Sequence, residues 1–257
     1  MIPYNTVTAW GVTHPWATRE QIEQDMLLSK AMCDIFNHPT LSEELVFRGG
    51  TALHKLILDE PYRFSEDLDF IRTHQGGIGD IMSNLTELGR ASGYQVKTKI
   101  GHFPKVYWLT KAQTGINTKI KIEINTYERF SAFPCKTIKH TIRSDWYTGE
   151  ADIKTLQKED IAATKIRALY QRSKGRDLFD LWLLTTRAEL DRVQVCEAFS
   201  VYRPDGYTGK KAIDNLLEKL NNAGFLSDMD NLISARMNDY LPEEAAQVVV
   251  EEYLSKL

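Results

Sequence analysis

The stretch that most constrains what this chain can fold into is residues 47–72, FRGGTALHKLILDEPYRFSEDLDFIR. A short apolar run, Leu45, Val46 and Phe47, predicts a strand that ends in two adjacent glycines, Gly49 and Gly50. Thr51 is placed to cap a helix in which Ala52, Leu53, Leu56 and Ile57 recur with a helical period. A turn-rich loop, DEPYRFSE, then leads into a second strand carrying Asp67, Leu68 and Asp69. Residues two apart on a strand point the same way, so Asp67 and Asp69 present two carboxylates on one face. Backbone N–H groups at a glycine turn opening a helix form a phosphate cradle. Two carboxylates beside such a cradle suit Mg²⁺, which keeps few protein ligands and takes substrate phosphates for the rest. Either half alone is a weak signal, because Gly-Gly is commonly a tight turn and an acid near a strand end is commonly a solvated charge. Together they predict a mixed α/β lobe with a metal-dependent site for a nucleoside triphosphate.

The rest of the chain is read around that lobe. Residues 1–18, with Pro3, Gly11, Pro15, Trp10 and Trp16, predict an extended arm that packs aromatic anchors onto the body. Residues 18–37 predict a helix capped by Thr18 and closed at His38-Pro39. Residues 78–92 predict another, with Gly93 as its C-cap. Three extended segments follow at 94–100, 105–111 and 118–125. In the last, Ile120, Ile122 and Ile124 face one way, while Lys119, Lys121, Glu123 and Asn125 face the other. Residues 126–158 read as connection with a short strand at 137–142. From Lys158 onward the pattern is helical, with expected helices at 159–171, 177–187, 191–201, 208–221, 228–237 and 243–257. The change of pattern near residue 150 divides the chain into an α/β domain, 1–150, and a helical domain, 151–257, with no flexible spacer between them.

The acids matter because nucleotidyl transfer builds charge on the transferring and leaving oxygens, which bound metal ions neutralise. Glu123 reads either as a third site acid or as a solvated glutamate between lysines, and pattern alone slightly favours the second. Lys55 and Arg63 flank the glycine stretch; Lys55, one turn into the helix, reads as a solvated residue or a phosphate contact. Residues 163–184, ATKIRALYQRSKGRDLFDLWLL, place Lys165 among Ile161, Ala162, Ile166 and Leu169 on an otherwise apolar helix. A lysine there either snorkels out or meets an anion. Asp177 and Asp180 are three apart and share a helix face, where acids also favour the helix dipole. Either acid is placed to orient Lys165 or Arg176, or to contact the base or ribose.

With 257 residues, 42% hydrophobic and 26% charged, the chain can bury one large core or two modest lobes. A net charge of −3 argues against a surface coated in basic groups for generic DNA binding, but not against a local basic groove. Lys97, Lys99, Lys105, Lys119 and Lys121 cluster on the strand region, although such runs are usually solvated faces. Cys33, Cys135 and Cys196 have no paired-ligand spacing and read as reduced thiols of a cytosolic protein. No segment reads as a leader or a membrane span, so a cytoplasmic location is expected. A Walker A motif, a G-x-S-x-G elbow and a Cys/His pair are all absent from the sequence.

FRGGTALHKL followed by RFSEDLDF, then KIEIN, then KIRAL and RDLFDLWLL, resembles the AbiEii/AbiGii family of nucleotidyltransferase toxins over residues 20–187. The resemblance implies an α+β fold: a DNA polymerase β-type nucleotidyltransferase lobe with a mixed sheet, followed by an α-helical lobe that closes the nucleotide cleft. It implies Gly49, Gly50 and Thr51 at the triphosphate, Asp67 and Asp69 at the metal, and Glu123 as the third strand acid. Lys165 matches the family's lysine, and Arg176, Asp177 and Asp180 match its Arg-Asp-x-x-Asp helix start. The glycine-to-DxD spacing is longer than in some members, through the extra loop 59–65. The resemblance further implies Mg²⁺ or Mn²⁺, an NTP substrate and an RNA acceptor, with tRNA 3′ ends a target class. It implies growth arrest and an antitoxin of the AbiEi type. Transfer to a protein hydroxyl, and nucleotide binding without turnover, are the alternative expectations.

Overall fold

The computed structural model describes residues 2–257 and has an α+β architecture. Its backbone divides into two units, residues 1–130 with 135–155, and residues 131–134 with 156–257.

The first unit is built on one seven-stranded mixed sheet: β1 (Leu45–Arg48), β2 (Asp67–Arg72), β3 (Gln95–Lys99), β4 (Lys105–Lys111), β5 (Asn117–Asn125), β6 (Lys136–Arg143) and β7 (Thr148–Thr155). The spatial order is β3-β4-β5-β2-β1-β7-β6. β2 runs antiparallel to β1 and parallel to β5, while β1 runs parallel to β7. The alternation expected in β5 holds. Ile120, Ile122 and Ile124 are fully buried, joining Phe47, Leu68 and Phe70 on the core side. The helices of this unit are α1 (Tyr4–Thr13), α2 (Arg19–Phe36), α3 (Pro39–Glu44), α4 (Gly49–Ala52) and α5 (Gly79–Ala91). Met26, Met32, Ile35 and Phe36 of α2 pack against the sheet's core face. Thr18 begins α2 with a reciprocal capping box: its hydroxyl accepts from the Gln21 N–H, and the Gln21 side chain accepts from the Thr18 N–H.

Several expectations are corrected here. The N-terminal segment is the helix α1 rather than an extended arm. Its aromatic anchor is real nonetheless, since Trp10 Nε1 donates to Asp25 Oδ2 at 2.8 Å. The short strand expected at 137–142 is present as β6; the correction is β7, which pairs with it as an eight-residue antiparallel ribbon and whose Thr155 Oγ1 donates to Phe47 O at 2.8 Å. β7 carries one large apolar residue, Ile153, in Thr-Gly-Glu-Ala-Asp-Ile-Lys-Thr, which hides that strand from pattern reading. Thr51 does not cap a helix. The helix starts two residues earlier at Gly49, and after α4 it widens into a π-turn over Leu53–Ile57.

The second unit comprises α6 (Lys158–Gln171), α7 (Gly175–Arg187), α8 (Arg192–Tyr202), α9 (Gly209–Leu220), α10 (Ala223–Leu226) and α11 (Pro242–Glu252). The helix expected at 228–237 is replaced by a single 3₁₀ turn, Ser227–Met229, and irregular chain. Residues 131–134 are fastened to this unit by the buried Asp160, whose carboxylate accepts from the N–H groups of Ala132 and Phe133 and from the Tyr202 hydroxyl. Among the described residues no helix is long and apolar enough to cross a membrane. The three cysteines are free thiols.

Candidate active site

The glycine turn and the acid pair meet because β1 and β2 are neighbours. Their antiparallel register sets Arg48 opposite Asp69, so Gly49 follows directly beside the acid. Gly49 has φ +81°, and a Cβ on it would lie 2.5 Å from Asp69 Oδ2. Only glycine both adopts this backbone and leaves room for the carboxylate. Gly50 is crowded from another side, where a Cβ would fall 2.4 Å from the Arg63 guanidinium. Arg63 is buried, and its Nη1 donates to Phe64 O at 2.9 Å. Thr51 Oγ1 donates to Asp67 O at 2.5 Å and lies 2.8 Å from Ser65 Oγ. That hydroxyl ties the glycine helix to the start of the acid-bearing strand. Gly49→Ala is expected to cost roughly 1–2 kcal/mol from the left-handed backbone alone and to push Asp69 aside. Chemical denaturation of the variant beside the wild type measures it, and an unchanged midpoint would show that the close approach is not there.

The third acid arrives by strand pairing. β2 and β5 run parallel with Asp67 opposite Lys121 and Asp69 opposite Glu123. Residues opposite one another share a sheet face, so Asp67, Asp69, Lys121 and Glu123 form one polar group. Lys121 Nζ lies 2.6 Å from Asp67 Oδ2 and 3.7 Å from Glu123 Oε2, and Lys105 Nζ lies 2.9 Å from Glu123 Oε2. Burial, reinforced by the neighbouring Asp67 and Glu123 charges, raises the Asp69 carboxyl above the usual carboxylate range. Burial opposes the charge on Lys121, but its hydrogen bond to Asp67 and the three carboxylates outweigh that and raise its pKa. The donor set is oxygen only and excess in negative charge, which fits a hard divalent cation. As the side chains stand, no three His, Cys, Asp or Glu among the described residues are gathered closely enough to hold a metal. A lysine ammonium stands between two of the acids instead.

Lys55 is neither a solvated residue nor a free phosphate contact, the two readings of its position. Its ammonium is 2.8 Å from Asp25 Oδ1 and 2.9 Å from Ser29 Oγ, inside a buried pair with α2. Arg48 pairs with Glu128 at 3.1 Å.

In the second unit α6 and α7 bring Lys165 between two fully buried acids, 3.3 Å from Asp177 Oδ1 and 2.5 Å from Asp180 Oδ2. Arg172 donates to both oxygens of Asp177, at 2.6 and 2.8 Å. Burial works against a charged Asp177, but Lys165 and Arg172 outweigh it and hold the carboxyl below its ordinary range. Arg176 is not drawn to either acid; its Nε lies 3.9 Å from Asp228 Oδ2, which also accepts from the Arg176 N–H.

The family described as nucleotidyl transferase AbiEii toxin, type IV toxin–antitoxin system, matches residues 30–255 of this chain. The chain belongs to that AbiEii family. It is accordingly a nucleotidyltransferase toxin of a type IV toxin–antitoxin system. Among solved structures it is similar to MenT4, a nucleotidyltransferase toxin from Mycobacterium tuberculosis H37Rv. The identity there is 17% and the TM-score 0.68, over 100% of this chain and 91% of the other. It is also similar to an antigenic nucleotidyltransferase-like protein from Paracoccidioides brasiliensis. That match has 16% identity and a TM-score of 0.44, over 86% of this chain and 96% of the other. Comparison with curated proteins finds no match. The likeness to MenT4 concerns the fold: the AbiEii chain shares a mixed sheet and a helical half with a nucleotidyltransferase toxin.

Sequence reasoning about the AbiEii site missed Lys121 as the cation among the acids, and Asp228 as the partner of Arg176. The first had a signal, the lysine at the position two before Glu123 on the same strand face. The second had none, because Asp228 lies far along the chain in a segment read as a separate helix.

Proposed function

We propose that this AbiEii chain transfers an NMP unit from an NTP to a hydroxyl of RNA, in particular a tRNA 3′ end, and thereby blocks translation and growth. The single observation that carries the reading is the meeting of Gly49 with Asp69, on a face that Asp67 and Glu123 share. Three carboxylates on one face repel one another and favour a cation among them. Asp67, Asp69 and Glu123 are the residues that would hold Mg²⁺ or Mn²⁺. When bound, the metal neutralises charge on the transferring and leaving oxygens. Lys121, which pairs with Asp67 and Glu123, would have to release those acids for them to hold such an ion.

The chain's own residues supply the rest. Gly49, Gly50 and Thr51 offer backbone N–H groups to the triphosphate, and Arg63 holds the turn from behind. Lys165, Arg176 and Asp180 are the proposed nucleotide contacts of the second unit, with Asp177 fixing Lys165. An antitoxin of the AbiEi type is the proposed partner that restrains the activity.

The test is incubation of the purified chain with each labelled NTP and total RNA, with Asp67→Ala as control. Label is expected in an RNase-sensitive, protease-resistant product of tRNA size that forms only with divalent metal and is absent from the Asp67→Ala reaction. Label in a protease-sensitive product would replace RNA with a protein acceptor. Equal labelling by Asp67→Ala would remove the acid pair from the chemistry.

A further inference from the structure

The pairing that assembles the acids also builds a surface leading away from them. Across the sheet, Lys97 of β3 lies opposite Tyr107 of β4, Tyr107 opposite Lys121 of β5, and Lys121 opposite Asp67 of β2. One step along, Lys99 lies opposite Lys105, Lys105 opposite Glu123, and Glu123 opposite Asp69. Strand alternation adds Lys111 and Lys119 to the same face. Six lysines, Lys97, Lys99, Lys105, Lys111, Lys119 and Lys121, thus share a face with three acids, all three in the candidate site. Lys105 and Lys121 are ion-paired to those acids. Lys97, Lys99 and Lys119 are exposed and make no ion pair among the described residues. The chain as a whole is acidic, at −3, so this concentration of positive charge is local. A bland solvated face does not require its lysines to run in register toward three carboxylates.

A second, independent feature borders the face at its acid end. The loop before β4 is tied to the end of β5, where the Ile124 N–H donates to Pro104 O at 3.0 Å. There His102 and Tyr127 stack, with ring centroids 4.2 Å apart and planes 18° from parallel, and Phe103 meets Tyr127 edge-on. Tyr127 is 61% exposed. Its loop is held by Asn125, whose Oδ1 accepts from the Tyr127 and Glu128 N–H groups, and by the Arg48–Glu128 pair. A large ring held flat against another, in a fixed loop and open to solvent, is a stacking platform. Lysines that track a backbone, with an aromatic step beside them, are the two parts of a single-strand nucleic-acid surface.

We infer that the lysine face of β3, β4 and β5, with the His102–Tyr127 step, docks a single-stranded RNA end. The backbone runs over Lys97, Lys99 and Lys119, and an unpaired base stacks on Tyr127, so that the terminal hydroxyl is delivered to the side of Asp69 and Glu123. The inference rests on the transfer reading above for the meaning of that delivery, but not for the binding itself.

Fluorescence anisotropy tests it, with the full chain titrated into a 5′-labelled single-stranded RNA 12-mer, and into the same sequence as a blunt duplex, at 50–200 mM NaCl without NTP. The wild type is expected to bind the single strand with salt-dependent affinity. Lys97→Gln/Lys99→Gln/Lys119→Gln lowers the salt slope by about 2, since each lost phosphate contact removes about 0.7 on single strands. Tyr127→Ala weakens single-strand binding about 5- to 100-fold with the slope unchanged, Tyr127→Trp restores it, and the blunt duplex is insensitive to either. The substituted side chains are all solvent-exposed, so the variants keep the fold. No binding by the wild type, wild-type binding by both the triple variant and Tyr127→Ala, or equal Tyr127 dependence on the duplex would overturn the inference. Asp69→Asn separates the two readings, because it binds the strand at least as tightly as the wild type while failing to transfer label. If the wild type shows these sensitivities but transfers no label from any NTP, the transfer reading falls and the surface stands. If it labels RNA while the variants bind like the wild type, the reverse holds.

Discussion

Asp69→Asn is expected to lower nucleotide transfer by at least about 10³-fold, in line with several kcal/mol of transition-state stabilisation from a bound metal, while the metal-free protein melts no lower than the wild type. The two halves of that result come from one cause. Asp69 sits beside Asp67 and opposite Glu123, with Gly49 pressed against its Oδ2. Burial and those two charges raise its carboxyl above the ordinary range. An acid whose pKa rises on folding holds its proton more tightly folded than unfolded. Its ionisation therefore subtracts stability as pH climbs past the unfolded value near 3.9. Asparagine keeps the shape and removes the repulsion, so a melt at neutral pH moves up or stays, at about 2–4 °C per kcal/mol for a chain of this size. Site residues that cost stability and carry activity are the expected signature of function. A variant that transferred label at the wild-type rate would take Asp69 out of the site. One that melted well below the wild type would make it a structural residue.

Lys165→Met is expected to behave oppositely, with a melting temperature about 6–20 °C lower. Lys165 lies among two fully buried carboxylates, with its own side chain 7% exposed. Removing one member of a buried ion pair costs about 3–5 kcal/mol, because the remaining charge stays desolvated. That loss gives the temperature range at 2–4 °C per kcal/mol. Asp177 keeps the paired hydrogen bonds from Arg172, but Asp180 loses an ammonium 2.5 Å away. The double variant Lys165→Met/Asp180→Asn should therefore recover part of the loss. The sign with pH follows from the lowered Asp177 carboxyl. Its contribution is fully present above the unfolded value near 3.9 and is lost as pH falls through the lower folded value. With Lys165 gone, that acid limb moves to higher pH. Thermal melts from pH 3 to 8 measure it, and a Lys165→Met curve superimposed on the wild type would remove the pair from the stability of the second unit. Loss of transfer in this variant is informative only at temperatures where it is folded.

Much of the architecture is legible from local pattern, and its gaps have physical causes. The cap at Thr18 and the Ile120–Ile122–Ile124 alternation follow from side-chain chemistry within a few residues, so they appear as expected. Strand β7 is missed because Ala151 and Ile153 are too few apolar residues to show a hydrophobic period, while its partner β6 appears at 137–142 as expected. The π-turn at Leu53–Ile57 is invisible for another reason: its apolar spacing differs little from that of an α-helix. Lys55 illustrates the limit for charged groups. Its position one turn after a glycine cradle suits a phosphate, yet the nearby Asp25 of α2 claims it first.

The sequence by itself determined that Gly49 and Gly50 end a strand, that Asp67 and Asp69 share a face, and that Lys165 lies on an apolar helix with Asp177 and Asp180 one helix later. Each is a matter of period along the chain. Only the tertiary structure decided that Glu123 stands beside Asp69 and Lys121 beside Asp67, that Gly49 has no room for a Cβ, and that Arg176 belongs to Asp228. Register between strands more than fifty residues apart is fixed by which apolar residues interlock on the buried side. A slip of one residue would have turned Glu123 into the core and an isoleucine toward Asp69. The polar face inherits its geometry from that packing, and no pattern local to either strand records it.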